Sequence, residues 1–162
     1  MTMRPIRVAI LTCSDSRSAG SLADTAGPAL AAEAERLGLQ VVAYRIVPDD
    51  RGVIAEAIAE MADSDHADVV LTTGGTGLSA RDLTPEATLD ICDRQVPGIA
   101  ETIRRQSMEI TRRAMLSRGV AALRGSTLVI NLPGSQKGAV ESFGFIADQL
   151  EHALEMIAGE GH

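Results

Sequence analysis

Apolar positions along the chain follow two alternating periods, and the alternation predicts the fold. Short runs of consecutive apolar, largely β-branched residues predict buried strands at about 7–12, 40–47 and 69–71. Between them, apolar residues recur on single helical faces. Leu30, Ala34 and Leu37 form one stripe, closed by Gly38 as a C′ residue. Ile54, Ala57, Ile58 and Met61 form a second, at i, i+3, i+4 and i+7. Thr84 as N-cap and Pro85 at the first helical position predict a helix to about residue 93. Val96-Pro97-Gly98 punctuates, and another helix should reach about 109. Runs at 119–123 and 127–132 around Arg124-Gly125-Ser126 predict a hairpin. A last helix is expected over about 138–158, with Phe143, Ala147, Leu150, Leu154 and Ile157 on one stripe. Residues 111–118 fit neither period.

Strands alternating with helices imply an α/β protein whose mostly parallel sheet is covered on both faces. The hairpin implies one antiparallel strand, at or near an edge. Ligands of open α/β sheets bind beyond the carboxyl ends of the strands. Four loops belong there: Ser14-Asp15-Ser16, Pro48-Asp49-Asp50, Gly74-Gly75-Thr76-Gly77 and Pro133-Gly134-Ser135.

Composition narrows the picture. A chain of 162 residues, 45% apolar, suits one domain with a sizeable core. With no Trp, one Tyr and two Phe, that core must be aliphatic. A net charge of −7 argues against bulk electrostatic binding of nucleic acid or an anionic membrane. An anionic ligand would need local positive groups instead. Cys13 and Cys92 give neither a disulfide framework nor a metal spacing and read as small buried hydrophobes. His66, His152 and His162 are scattered and suggest no metal site. The N-terminal apolar segment is too short for a signal or a membrane span, so a cytoplasmic protein is expected.

The chemistry concentrates between Val69 and Glu86. Three glycines in four residues follow the strand directly, and such a backbone comes close to a ligand and presents N–H groups to phosphate. The loop is not a P-loop and lacks dinucleotide-fingerprint spacing; by itself it is equally a tight turn. Arg81-Asp82 lies beside it. Asp49 and Asp82 are expected on the same edge, where paired carboxylates near phosphate suit Mg²⁺. The alternative assigns helix capping to Asp49 and an ion pair with Arg81 to Asp82. Ser14-Asp15 and Asp24 serve equally as turn or cap residues. Arg112, Arg113 and Arg118 are either a solvated face or a source of positive charge for an anionic substrate.

These residues also carry a family resemblance. Thr73-Gly74-Gly75-Thr76-Gly77 followed by Arg81 to Thr88 resembles the signature of the molybdenum cofactor biosynthesis family, the Mog/MoaB-type molybdopterin adenylyltransferases. The match includes Ser14-Asp15, Asp24 to Pro28, Val47 to Asp49, Pro97-Gly98, Ala114 to Arg118, Arg124 to Leu128 and Asn131 to Ser135. The resemblance implies a three-layer α/β/α fold, commonly trimeric with a hexamer as the alternative, and contact with other cofactor-synthesis enzymes. It implies adenylyl transfer from Mg-ATP to the terminal phosphate of molybdopterin with release of pyrophosphate. The family's two metal-nucleotide aspartates fall on Asp49 and Asp82. Pterin-contacting serines map to Ser107 and Ser117, next to Arg118. Ser14, Asp15, Gly74, Gly75, Thr76, Gly77, Pro133, Gly134 and Ser135 would line the pocket. The chain departs from the pattern at Ala26, Gln136 and Arg112-Arg113. Two other readings stand beside the enzyme: a non-catalytic molybdopterin-binding or delivery protein, and a nucleotide hydrolase.

Overall fold

The computed structural model describes residues 4–160; His162 and the first three residues of the N-terminal segment lie outside them. Strand β1 (Arg7–Cys13) leads into a single helical turn, α1 (Asp15–Ser18), and then helix α2 (Ala26–Arg36). Strand β2 (Gln40–Val47), helix α3 (Arg51–Asp63) and strand β3 (Val69–Thr73) follow. Helix α4 (Thr84–Ile91), strand β4 (Arg94–Gln95) and helix α5 (Pro97–Met108) come next. A 3₁₀ turn at Arg112–Leu116 precedes β5 (Ala121–Arg124), β6 (Thr127–Leu132), α6 (Gln136–Ile146) and α7 (Leu150–Ile157).

The strands form one sheet in the order β2-β1-β3-β6-β5-β4. β1 pairs in parallel with β2 and β3, and β3 with β6. β5 alone runs against its neighbours, pairing antiparallel with β6 and with β4. The hairpin is as expected, but the outermost place belongs to β4. Its two exposed residues are too few to show a period.

Alternation within the strands divides the core into two layers. Val8, Ile10, Val69, Leu71, Leu128, Ile130 and Leu132 face α2, α5, α6 and α7. Ala9, Leu11, Val70 and Val129 face α3 and α4. Helices thus cover both faces, giving three layers, and this is why the central strands read as unbroken apolar runs. Ile54, Ala57, Ile58 and Met61 are all buried, as their spacing predicts. Leu37 departs from its stripe: it is the C-cap of α2 and lies 42% exposed. The expected last helix breaks after Ile146 into a short 3₁₀ turn, Ala147–Gln149, before α7; Gly144 lies two positions before the break. Of the two cysteines, Cys13 is buried, with its thiol pushed up to about 12 chiefly by that burial, while Cys92 is half-buried.

Candidate functional site

The sheet changes direction between β1 and β3. From β1 the chain crosses to β2 on one side and then returns to β3 on the other. A crevice opens at such a switch point, beyond the carboxyl ends of the two strands. Ser14 and Asp15 leave β1 there, and the glycine loop leaves β3.

The loop packs tightly against its neighbours. Gly74 has φ +96°, and a Cβ at that position would collide with the Cys13 carbonyl oxygen. Gly134, in the loop after β6, packs on Gly74; its Cβ would sit 3.2 Å from the Gly74 Cα. The Thr73 hydroxyl donates to the Pro133 carbonyl at 2.6 Å. Three strand ends are therefore held in near-backbone contact. Gly75, at φ +71°, faces the Thr84 hydroxyl and Asp49. Thr84 is the first residue of α4 rather than its cap: Leu83 holds the cap position without a side-chain bond. The Thr84 hydroxyl is buried and makes no hydrogen bond.

Two carboxylates flank this loop. Asp49 follows β2, and its Oδ2 accepts the Asp15 N–H at 3.0 Å; Asp15 Oδ1 accepts the Asp49 N–H, also at 3.0 Å. Capping of α3 falls to Asp50, which accepts the Val53 N–H. The second oxygen of Asp49 is buried without a partner, and lies 3.5 Å from where a Gly75 Cβ would be. Burial raises the Asp49 pKa, and the negative charges of Asp15 and Asp82 push it the same way. On the other flank, Asp82 accepts the Ser79 N–H at 3.0 Å and comes within 2.8 Å of a Cβ built on Gly77. Its sequence neighbour Arg81 does not pair with it. Arg81 reaches across the mouth of the crevice to Asp15, at 3.0 and 3.1 Å, and holds the Asp15 carboxyl below the usual range.

Arg118 braces the far end of the loop. Its guanidinium donates to the Gly77 and Asp82 carbonyls and to the Glu86 carboxylate, and its backbone N–H donates to the Thr76 carbonyl. Of the three arginines at 112–118, it is the one spent on the protein; Arg112 and Arg113 are exposed. Beyond the brace lies a cavity of about 300 Å³ between the loop, α5, the 3₁₀ turn and α6. Thr76, Gly77, Ser107, Ser117, Pro133 and Ser135 all line it.

The expected site residues thus form two adjoining sets, joined by the glycine loop. Asp15, Asp49 and Asp82 gather around Gly75 and Gly77 at the crevice, and Ser107, Ser117 and Ser135 line the cavity. Ser14 and Ser135 also cap helices, accepting the N–H groups of Arg17 and Gly138. Gly74 and Gly134 serve the close packing of the loops. The site also uses two residues to which the sequence assigns no role, although Asn131 opens the matched run Asn131 to Ser135. Asn131 is buried; it accepts the Val120 N–H and donates to the Thr72 and Thr88 hydroxyls, tying β6 to β3, α4 and the approach to β5. Arg104 donates to the Gly119 carbonyl from inside the cavity wall. Their partners lie 11 to 59 positions away in sequence, so no local pattern announces them.

Among the described residues, no three His, Cys, Asp or Glu side chains gather closely enough to hold a metal ion by themselves. Mg²⁺ asks for less than that, since one or two carboxylates suffice when substrate phosphates and water complete the shell. An unpartnered buried oxygen on Asp49, with Asp82 across the loop, fits such a partial set.

Residues 9–152 match the family described as a probable molybdopterin binding domain. The chain belongs to that family. Among its relatives is the molybdopterin adenylyltransferase of Helicobacter pylori (strain J99), 35% identical over 97% of this chain and 90% of that protein. Another is the molybdenum cofactor synthesis protein cinnamon of Drosophila melanogaster, 37% identical over 98% of this chain; the chain spans 26% of its length. The solved structure of the molybdopterin biosynthesis enzyme MoaB from Thermus thermophilus superposes with a TM-score of 0.89 at 45% identity, covering 95% of this chain and 97% of that one. The molybdopterin-binding family and the three-layer fold expected from the residues are both borne out.

Proposed function

We propose that this chain acts in molybdenum cofactor biosynthesis as a molybdopterin adenylyltransferase. A terminal phosphate oxygen of molybdopterin attacks the α-phosphorus of ATP. The new O–P bond forms as the bond to pyrophosphate breaks, and pyrophosphate leaves with the electron pair. The observation that carries the reading is the convergence of Asp49 and Asp82 on the two flanks of one glycine loop, from which a 300 Å³ cavity opens. The names of the relatives support the same activity.

In this reading the two sides of the loop divide the substrates. The cavity beyond Gly77, with Ser107 and Ser117, takes the pterin. The crevice of Ser14, Asp15 and the glycine loop takes the nucleotide phosphates. Asp49 and Asp82 would hold Mg²⁺, which, when bound, offsets negative charge on the triphosphate. The Gly75–Gly77 backbone positions the reacting phosphate, and the protein contributes position and charge rather than a nucleophile of its own. The same reading makes the protein cytoplasmic and a homo-oligomer, trimer or hexamer. Exposed Met108, Ile110, Met115 and Leu116 at the end of α5 and in the 3₁₀ turn support self-association.

A pyrophosphate-release assay with Mg-ATP and molybdopterin tests the proposal. Release that requires molybdopterin is expected, with one equivalent of adenylylated product. Binding of both ligands without release would make the protein a pterin carrier. Release without pterin would make it a nucleotide hydrolase.

A further inference from the structure

The cavity assigned to the pterin contains a charge that an anionic substrate alone does not explain. Glu141, on α6, lines it, and its side chain is 32% exposed. Among the described residues it accepts no hydrogen bond. Its one ion contact is Lys137 Nζ at 3.8 Å, and Lys137 is 81% exposed. A pair at that distance and exposure contributes little. The other charged residues of the wall are Arg104 and Arg113. Neither forms a salt bridge with an acidic residue among those described; Arg104 gives Nη1 to the Ser117 and Gly119 carbonyls and keeps its charge and its other nitrogens for an anion.

A phosphorylated ligand would be drawn by the two arginines and repelled by the carboxylate. The repulsion disappears only if the ligand turns hydrogen-bond donors toward Glu141. An ionised carboxylate accepts two parallel N–H bonds, the geometry it uses with a guanidinium. A pterin ring carries this arrangement in its 2-amino group and the adjacent N3–H. Ile103 and Leu116 supply apolar wall for the ring, and the phosphate end would lie toward Thr76 and Gly77.

We infer that Glu141 reads the 2-amino, N3–H edge of the pterin and sets the specificity of the cavity for an aminopyrimidinone ring. The inference rests on the cavity being the pterin site.

Titration of the full-length protein with molybdopterin, followed by calorimetry, tests it. Wild type should bind, and Glu141→Gln, nearly the same shape, should bind at least about tenfold more weakly, as expected for a charge-assisted pair. Thermal midpoint and ATP affinity should stay unchanged. A second readout separates recognition from mere pocket shape: competition by 6-hydroxymethylpterin phosphate and by its 2-oxo counterpart, a lumazine. Wild type should prefer the pterin. Glu141→Gln, whose amide donates to a 2-oxo group, should lose or reverse that preference. Equal weakening of both analogues, or unchanged molybdopterin affinity in Glu141→Gln, overturns the inference while leaving the adenylyltransferase reading standing. Failure of the wild type to bind molybdopterin removes the assignment of the cavity, and the inference with it.

Discussion

Asp15 and Asp49 exchange hydrogen bonds, each carboxylate accepting the other's backbone N–H at 3.0 Å. The exchange locks the loop after β1 to the loop after β2 and aims the free Oδ1 of Asp49 at the glycine loop. Asp15 is in turn held by Arg81 from beyond Gly77. Replacing Asp15 with Ala removes the acceptor of the Asp49 N–H and the partner of Arg81, leaving the Asp15 N–H as the one remaining bond to the Asp49 carboxylate. The expected result is a lower kcat with molybdopterin affinity intact, read by steady-state kinetics and pterin titration. Unchanged kcat would deny Asp15 any part in positioning Asp49.

Asp49 should reveal itself through pH. Burial raises its pKa, so the folded protein binds this proton more tightly than the unfolded chain does. Its contribution to stability is therefore greatest at low pH and is lost as pH rises through the raised value. A cation bound at Asp49 must displace that proton. Mg-ATP binding to the wild type should release protons at pH values just above the ordinary aspartate range, seen by calorimetry in buffers of different ionisation enthalpy. Asp49→Asn should abolish that release and raise the thermal midpoint of the ligand-free protein at neutral pH. Equal proton release in the two proteins would contradict the assignment.

Gly74 and Gly77 should fail in different ways. Gly74→Ala places a side chain at positive φ against the Cys13 carbonyl, and should cost about 2–4 kcal/mol of stability in denaturant unfolding. Gly77 is not at positive φ, and a Cβ there meets the carboxylate end of Asp82 at 2.8 Å. Gly77→Ala should leave stability nearly unchanged and lower kcat by displacing the Asp82 carboxylate. A stable Gly74→Ala protein would show that the loop and β1 are not packed as described.

Asn131→Ala leaves the Val120 N–H without its side-chain acceptor and removes the donor shared by two buried hydroxyls, with a cavity besides. A loss of about 2–3 kcal/mol is expected by chemical denaturation. A loss under about 0.5 kcal/mol, the range usual for surface substitutions, would mean that the network is dispensable.

What the sequence made legible follows from the range over which each signal acts. The central strands and α3 were readable because burial on both faces, or on one stripe, writes itself into neighbouring residues. β4, at two residues, and α1, at four, each span about one period, so no repeat can show, and the break after Ile146 is signalled by nothing beyond Gly144, a residue that helices also tolerate. The placement of Asp49 and Asp82 followed from topology, since loops leaving parallel strands share an edge. The pairing of individual side chains did not. The alternative reading paired Arg81 with Asp82, yet Arg81 reaches Asp15, 66 positions away; Arg118 meets Glu86 across 32 positions. Such pairs depend on where the folded elements come to rest, which single-residue patterns do not encode.

In the proposed reaction Asp49 and Asp82 together serve the nucleotide step, apart from pterin binding. Single-turnover formation of adenylylated molybdopterin by Asp82→Asn tests it most directly. A fall of about 10²-fold or more is expected, as for loss of one preorganised charge-stabilising group, with molybdopterin affinity within about twofold of wild type. Wild-type turnover in Asp82→Asn would contradict it.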